Sequence, residues 1–243
     1  MPRFFVESAD VKDGAVKITG DDARHIARSL RMAVGDEITV CDGEGAEHTC
    51  SLTKIRDEEC ECKILSTQPS RSEPQAEIAL FMAYPKGDKL ETVVQKAVEL
   101  GVSTVIPFES SRCIKRPSPE KGDKQTARLS RIAAEAAKQC GRAKLPKILP
   151  PIKLTELISM LPSYDMSLIC YEDEEKKSIK QALDNASPRS IAVIVGCEGG
   201  FSYEEWAAIT EAGAISVTLG PRILRCETAP LYALAAISYR FEL

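Results

Sequence analysis

Two short stretches carry the residues best suited to hold and transform a ligand. Gly196-Cys197-Glu198-Gly199-Gly200 follows an apolar run that starts at Ile191, and Leu219-Gly220-Pro221-Arg222-Ile223-Leu224-Arg225-Cys226-Glu227 follows another that starts at Ile215. Each reads as a buried strand, a tight glycine loop and then a helix, which is where α/β folds bind small molecules. Glycines let backbone N–H and C=O groups approach a ligand that a side chain would hold off, and adenine or ribose can be read in this way. Arg222, Arg225 and Glu227 crowd one loop and Glu198 sits in the other, so charge is at hand. The spacing is not the Gly-x-Gly-x-x-Gly of a dinucleotide site. A purely structural glycine turn is the alternative.

Other groups invite a functional reading. Lys86-Gly87-Asp88-Lys89, directly after an apolar run, reads as a helix start able to hold a phosphate, although the full phosphate loop of nucleotide triphosphatases is absent. Arg24, Arg28 and Arg31 recur at i, i+4 and i+7 beside the apolar stripe Ala23, Ile26, Ala27 and Leu30. A regular helix would align the three guanidiniums, each able to fork onto phosphate oxygens, and a solvated face is the competing reading. His25 adjoins that row, but spacing sets no nucleophile or acid against it, so a structural role, or contact with the same ligand as the arginines, is expected. Nine cysteines at irregular spacing, with no Cys-x-x-Cys pair, predict reduced packing residues and no metal site. Cys60 and Cys62 alternate with Glu59 and Glu61 and belong on the buried side of a strand.

The net charge of −4 is unevenly spread. Residues 1–70 hold nine basic and fourteen acidic side chains, whereas residues 112–147 hold eleven basic and three acidic. The latter concentration reads either as a footprint for a polyanion or as a solvated helix face. With 243 residues, 44% hydrophobic and 28% charged, the chain has the make-up of a globular protein of one or two domains. No apolar run of membrane-spanning length and no apolar leader appear, so a cytoplasmic protein without membrane association is expected.

The elements that must position these residues change character once. Short alternating strands are predicted at residues 15–18, 37–41, 47–55 and 59–65, with one helix that begins after Asp21 or Asp22 and ends before Gly35. They make residues 1–70 a small β barrel. Residues 69–74, with two prolines and no apolar side chain, read as a linker. From 75 to 243 strands alternate with helices, with strands at residues 78–84, 105–108, 167–171, 191–195 and 215–219. Helices are expected from about Leu90 to Gly101 and from Lys124 to Cys140. That alternation predicts a mostly parallel sheet covered on both faces, an α/β domain.

Five separated regions also carry a resemblance that spans nearly the whole chain. They are Met1-Pro2-Arg3-Phe4-Phe5 with His25-Ile26-Ala27-Arg28-Ser29-Leu30-Arg31, then Gln95-Lys96-Ala97-Val98-Glu99-Leu100-Gly101-Val102, then Glu135-Ala136-Ala137-Lys138-Gln139-Cys140-Gly141-Arg142, and the two glycine loops. In these the chain resembles the bacterial 16S ribosomal RNA (uracil-N3)-methyltransferase family, RsmE, of the SPOUT superfamily. It departs at Cys197, where the family usually has Pro, and at Cys226, where it usually has Thr.

The resemblance implies a C-terminal SPOUT-type trefoil-knot methyltransferase domain, a small N-terminal PUA-like β barrel that binds RNA, and a homodimer. It implies methyl transfer from S-adenosylmethionine to N3 of a uridine in 16S ribosomal RNA of the small subunit. Cofactor contacts then fall to Tyr171, Glu172, Gly196, Glu198, Gly199, Gly200, Leu219, Gly220, Ile223, Leu224 and Arg225. RNA contacts fall to Arg3, Arg24, Arg28, Arg31, Lys86, Arg112, Gln139, Arg142 and Arg222. Arg225 is the candidate for stabilising the uracil oxygen that gains charge as N3 loses its proton, with Glu198 or Glu227 accepting that proton or holding the cofactor. The methyl group arrives on a sulfonium, so no metal is required. Ribose 2′-O methylation by the same fold and RNA binding without catalysis are the alternatives.

Overall fold

A computed structural model describes residues 1–114 and 119–243. Lys115 and Arg116 of the basic segment lie outside the described residues, as does the side chain of Lys121. The chain forms two compact units, residues 1–73 with 137–145, and residues 74–136 with 146–243. The first therefore draws on a segment that a single division near residue 70 assigns to the second.

In the first unit β1 (Arg3–Phe5), β2 (Val11–Lys12), β3 (Ala15–Thr19), β4 (Glu37–Cys41), β5 (Ala46–Ile55) and β6 (Glu59–Pro69) form one sheet, ordered β1-β4-β5-β6-β3-β2. All pairings are antiparallel except β1 with β4. The order has two ends, so the ladder stops short of closing the predicted barrel. Alternation places Val16, Ile18, Cys60 and Cys62 in a core with Phe4, Ile26, Ile38, Val40, Cys50 and Leu52. Burial pushes the Cys50 and Cys62 thiols up to about 11 and about 12, which keeps them neutral packing groups.

The predicted helix is not regular. α1 (Gly20–Arg24) passes into a π turn at His25–Ser29, and Arg31 has a left-handed φ of 51°. The wider turn breaks the i, i+4, i+7 alignment. Ala23 and Ile26 are buried but Leu30 is 40% exposed. Arg24 pairs with Asp21 and Arg28 with Asp57, while Arg31 lies past the helix end, so the three guanidiniums do not make one row.

Residues 69–74 are pinned, not loose. The Glu73 carboxylate accepts from the Arg142 guanidinium at 2.8 Å and from the backbone N–H groups of Ala143 and Lys144 at 2.9 and 3.0 Å. Ser72 donates its hydroxyl to the Gly141 carbonyl. Arg142 is only 3% exposed, so a charge expected on RNA is instead buried against Glu73. Although burial opposes ionisation of Glu73, Arg142 and the two N–H groups hold its carboxyl below the ordinary value. Arg3 is likewise committed, to Cys41 Sγ at 2.9 Å and Glu47 at 3.1 Å, whereas Gln139 is exposed.

In the second unit β7 (Glu77–Ala83), β8 (Thr104–Glu109), β9 (Lys147–Ile148), β10 (Ile152–Lys153), β11 (Met166–Cys170), β12 (Ser190–Val195) and β13 (Ile215–Val217) form a sheet ordered β10-β8-β7-β12-β11-β13, with β9 also on β8. Every pairing is parallel. Its central strands are continuous apolar runs because both faces are covered: β7 is buried from Ile78 onward and β12 from Ile191 onward. Its helices are α2 (Lys89–Glu99), α3 (Pro119–Cys140), whose last residues from 137 on count with the first unit, α4 (Leu154–Met160), α5 (Ile179–Leu183), α6 (Tyr203–Glu211) and α7 (Thr228–Glu242). In α2 Leu90, Val93, Val94, Ala97 and Val98 form the buried face expected from their spacing. Among the described residues no helix is long and apolar enough to cross a membrane.

Candidate active site

Four neighbouring strands, β7, β12, β11 and β13, run parallel, so the turns that follow them gather at one edge of the sheet. Open α/β sheets bind ligands there. A cavity of about 480 Å³ occupies this edge, lined by Tyr171, Glu172, Gly196, Glu198, Gly199, Gly200, Leu219, Gly220, Arg222, Ile223, Leu224 and Arg225. Every residue named from sequence for cofactor contact is in that lining, and Arg222, named for RNA, joins them. Lys89, Cys170, Val195, Cys197, Thr218, Cys226 and Ala229 complete it.

The 196–200 loop is a tight turn closed by the Gly200 N–H on the Cys197 carbonyl at 2.9 Å. Gly200 is left-handed at φ 63°, and a Cβ there would overlap the Glu172 carboxylate, so glycine is needed for shape and for close approach. Arg112, expected on RNA, lies against Gly199 and donates to its carbonyl at 2.6 Å. Glu205, buried on α6, accepts from the Ser111 N–H at 2.6 Å, the Ser202 N–H at 3.0 Å and the Ser110 hydroxyl at 3.3 Å. The Cys113 thiol hydrogen-bonds Cys197; that bond, and then burial, raise Cys113 far above the usual thiol range. Neither Glu205 nor Cys113 was singled out from the sequence: Ser202-x-x-Glu205 is a local capping-box signal, but the bonds of Glu205 to Ser110 and Ser111 and of Cys113 to Cys197 span more than eighty residues.

The 219–227 loop is more open. Gly220 has φ 115° with nothing within 4 Å of where a Cβ would stand. Ile223 is 80% exposed, and Arg222 and Arg225 are exposed. The Arg225 carbonyl accepts from the Thr228 and Ala229 N–H groups at 2.8 and 2.9 Å, which starts α7.

A single ammonium reaches both loops. Lys89 Nζ lies 3.0 Å from Glu198 Oε1 and 3.2 Å from Glu227 Oε2, with Cys226 Sγ at 3.8 Å. The Lys86 N–H donates to Glu198 at 3.0 Å, while the Lys86 side chain is exposed. The turn read from sequence as a phosphate holder is thus filled by the chain's own carboxylate. Burial works to raise the Glu198 carboxyl, but Lys89 and backbone N–H groups bring it below the ordinary value. Glu227 is held down by its own backbone N–H, then against burial by Cys226 and Lys89. Hydrogen bonds to Glu198 and then Glu227 raise the Lys89 ammonium.

A parallel α/β domain with a glycine-walled cavity at its strand ends has the build of an enzyme that takes a nucleotide-like ligand. A model of the RNA methyltransferase domain matches residues 71–238, and one of the RNA methyltransferase PUA domain matches residues 18–65. The Bacillus subtilis protein named Ribosomal RNA small subunit methyltransferase E is 34% identical, over 100% of this chain and 98% of its own. Its Mesomycoplasma hyopneumoniae namesake is 32% identical over 96% of this chain and 97% of its own. The crystal structure of a Ribosomal RNA small subunit methyltransferase E from Neisseria gonorrhoeae bound to S-adenosyl methionine matches with a TM-score of 0.86 at 36% identity, over 98% of this chain and 97% of that one. The chain belongs to the ribosomal RNA small subunit methyltransferase E family of RNA methyltransferases.

Proposed function

We propose that this S-adenosylmethionine-dependent rRNA methyltransferase modifies N3 of a uridine in 16S ribosomal RNA, acting as a homodimer whose cofactor domain is knotted as in the SPOUT superfamily. The observation that carries the reading is the disposition of charge in the cavity. Lys89 is taken up by Glu198 and Glu227, whereas Arg225 lines the same cavity and makes no ion pair among the described residues. An available guanidinium suits an oxygen that gains negative charge, and the uracil carbonyl oxygens gain it as the N3 proton leaves.

The residues present fit the cofactor. A cavity of about 480 Å³ lies within the range of small-molecule pockets, with Leu219, Ile223, Leu224 and Ala229 as apolar walls for a base and Glu172 and Glu198 as acceptors for hydroxyl or ammonium groups. When bound, S-adenosylmethionine supplies an electrophilic methyl group on its sulfonium. Glu198 and Glu227, held below their ordinary pKa, are weak bases at neutral pH, so they serve to hold rather than to accept the N3 proton. Arg31, Lys86 and Arg222 are exposed cations without an ion pair among the described residues and suit phosphate contact. Tyr232 and Tyr239 of α7, 45% and 74% exposed, supply an apolar surface for a second copy.

Small-subunit RNA from a strain lacking this gene, treated with purified protein and S-adenosylmethionine, should gain 3-methyluridine by nucleoside mass spectrometry. A gain of a ribose-methylated nucleoside instead would overturn the N3 assignment. Sedimentation equilibrium should return twice the chain mass.

A further inference from the structure

The two cavity loops follow different strands, and among the described residues one side chain, Lys89, forms ion pairs with an acid from each. Glu198 belongs to the loop after β12 and Glu227 to the loop after β13, yet both carboxylates point at the Lys89 ammonium at the start of α2. Without that ammonium, two carboxylates would face one another at short range, and like charges so placed drive their groups apart or force one to take up a proton. We propose that Lys89 is a positioning residue that sets the separation of the two cofactor loops by sharing one charge between Glu198 and Glu227. It rests on the reading of this cavity as the S-adenosylmethionine pocket.

Three further details support a built brace. The Lys89 side chain is about one third exposed and those of Glu198 and Glu227 less, so solvent only partly screens the pairs. Glu198 is held from a second side by the Lys86 N–H, which fixes its carboxylate beside the helix start. The Cys226 thiol, 3.3 Å from Glu227 Oε2, donates to the same carboxylate and so aims it at Lys89. The result is a cross-tie between two acids that are 29 positions apart in sequence, made by a residue more than 100 positions before either.

The test compares Lys89→Met, which keeps the length and apolar stem but removes the charge, with Lys89→Arg, which keeps the charge. In cofactor-free protein, amide hydrogen exchange should rise at least tenfold in both loops of Lys89→Met, with strands β7 and β12 unchanged, and should stay near wild type in Lys89→Arg. By calorimetry, S-adenosylhomocysteine should bind Lys89→Met at least tenfold more weakly and Lys89→Arg within about threefold of wild type. Adding Glu227→Gln to Lys89→Met should restore much of the loop protection, because it removes the repulsion; a merely structural role for the lysine stem would show no such rescue. Unchanged exchange in Lys89→Met, or a rise confined to one loop, overturns the proposal. Should Lys89→Met loosen the whole domain, Lys89→Arg decides: retained loop protection supports the brace and lost protection overturns it. If wild-type protein fails to bind S-adenosylhomocysteine, the pocket reading falls while the exchange experiment still judges the brace.

Discussion

The two loops that wall the cavity are built on opposite plans. The 196–200 loop is short and is fastened from outside by Arg112 and Cys113, while Glu205 ties the 110–111 segment to the start of α6 just beyond it. The 219–227 loop is longer, exposes Gly220, Arg222, Ile223 and Arg225, and is tied chiefly through Glu227. One loop is therefore held as scaffold at the cavity wall, and the other stays exposed. Shape and chemistry are divided between neighbours, as happens where loops carry function on a rigid frame.

The sharpest break in that contrast comes from glycine replacements. A Cβ at Gly196 would already lie 3.1 Å from the Gly200 backbone, which cannot swing aside, so Gly196→Val should abolish cofactor binding in a calorimeter. Gly220→Ala meets no neighbour, and its left-handed φ of 115° should cost only about 1–3 kcal/mol, with cofactor binding retained. Equal losses at the two positions would erase the distinction.

Arg225→Ala should slow single-turnover formation of 3-methyluridine by on the order of a hundredfold at saturating RNA and cofactor, with the melting temperature unchanged. Arg225→Lys should fall between, since it keeps the charge and loses the planar fork. On the scaffold side, Glu205→Ala strips the acceptor from two backbone N–H groups and should destabilise the protein by about 2 kcal/mol in urea unfolding. Ile223→Ala, on the open loop, should change stability by no more than about 0.5 kcal/mol.

The smallest effect is expected from pH. Glu198 and Glu227 sit below the ordinary value of 4.5 in the folded protein, so their pairing with Lys89 stabilises fully above that value and is lost as pH falls through the lowered ones. Loop protection against exchange, corrected for the intrinsic rate, should hold flat from neutrality to about pH 5 and decline only in acid.

What was readable in advance follows the range of the interactions. The glycine loops announce themselves because turn chemistry and charge are local, and the central strands β7 and β12 because burial on both faces writes an unbroken apolar run. The strands β1, β2, β9 and β10 escape notice, since two or three residues are too few to show a period. Arg142 counts toward a basic segment in composition but is neutralised by Glu73, 69 positions away. The arginine spacing in 24–31 predicts one face only for a regular helix, and the π turn at His25–Ser29 removes that premise. Lys89 was visible as a helix-start lysine, yet its two carboxylate partners could be supplied only by tertiary structure.

The pairing of Glu73 with Arg142 carries a consequence for inheritance. The PUA unit is written in two places, residues 1–73 and 137–145, with a stretch of the other domain between them. A gene fragment ending at residue 73 would encode all six strands of its sheet yet leave the half-buried Glu73 carboxylate without its guanidinium or the two backbone donors that hold it. The unit is therefore poorly suited to exchange as one contiguous cassette, because Glu73 depends on residues 142–144, which lie beyond the domain that interrupts it.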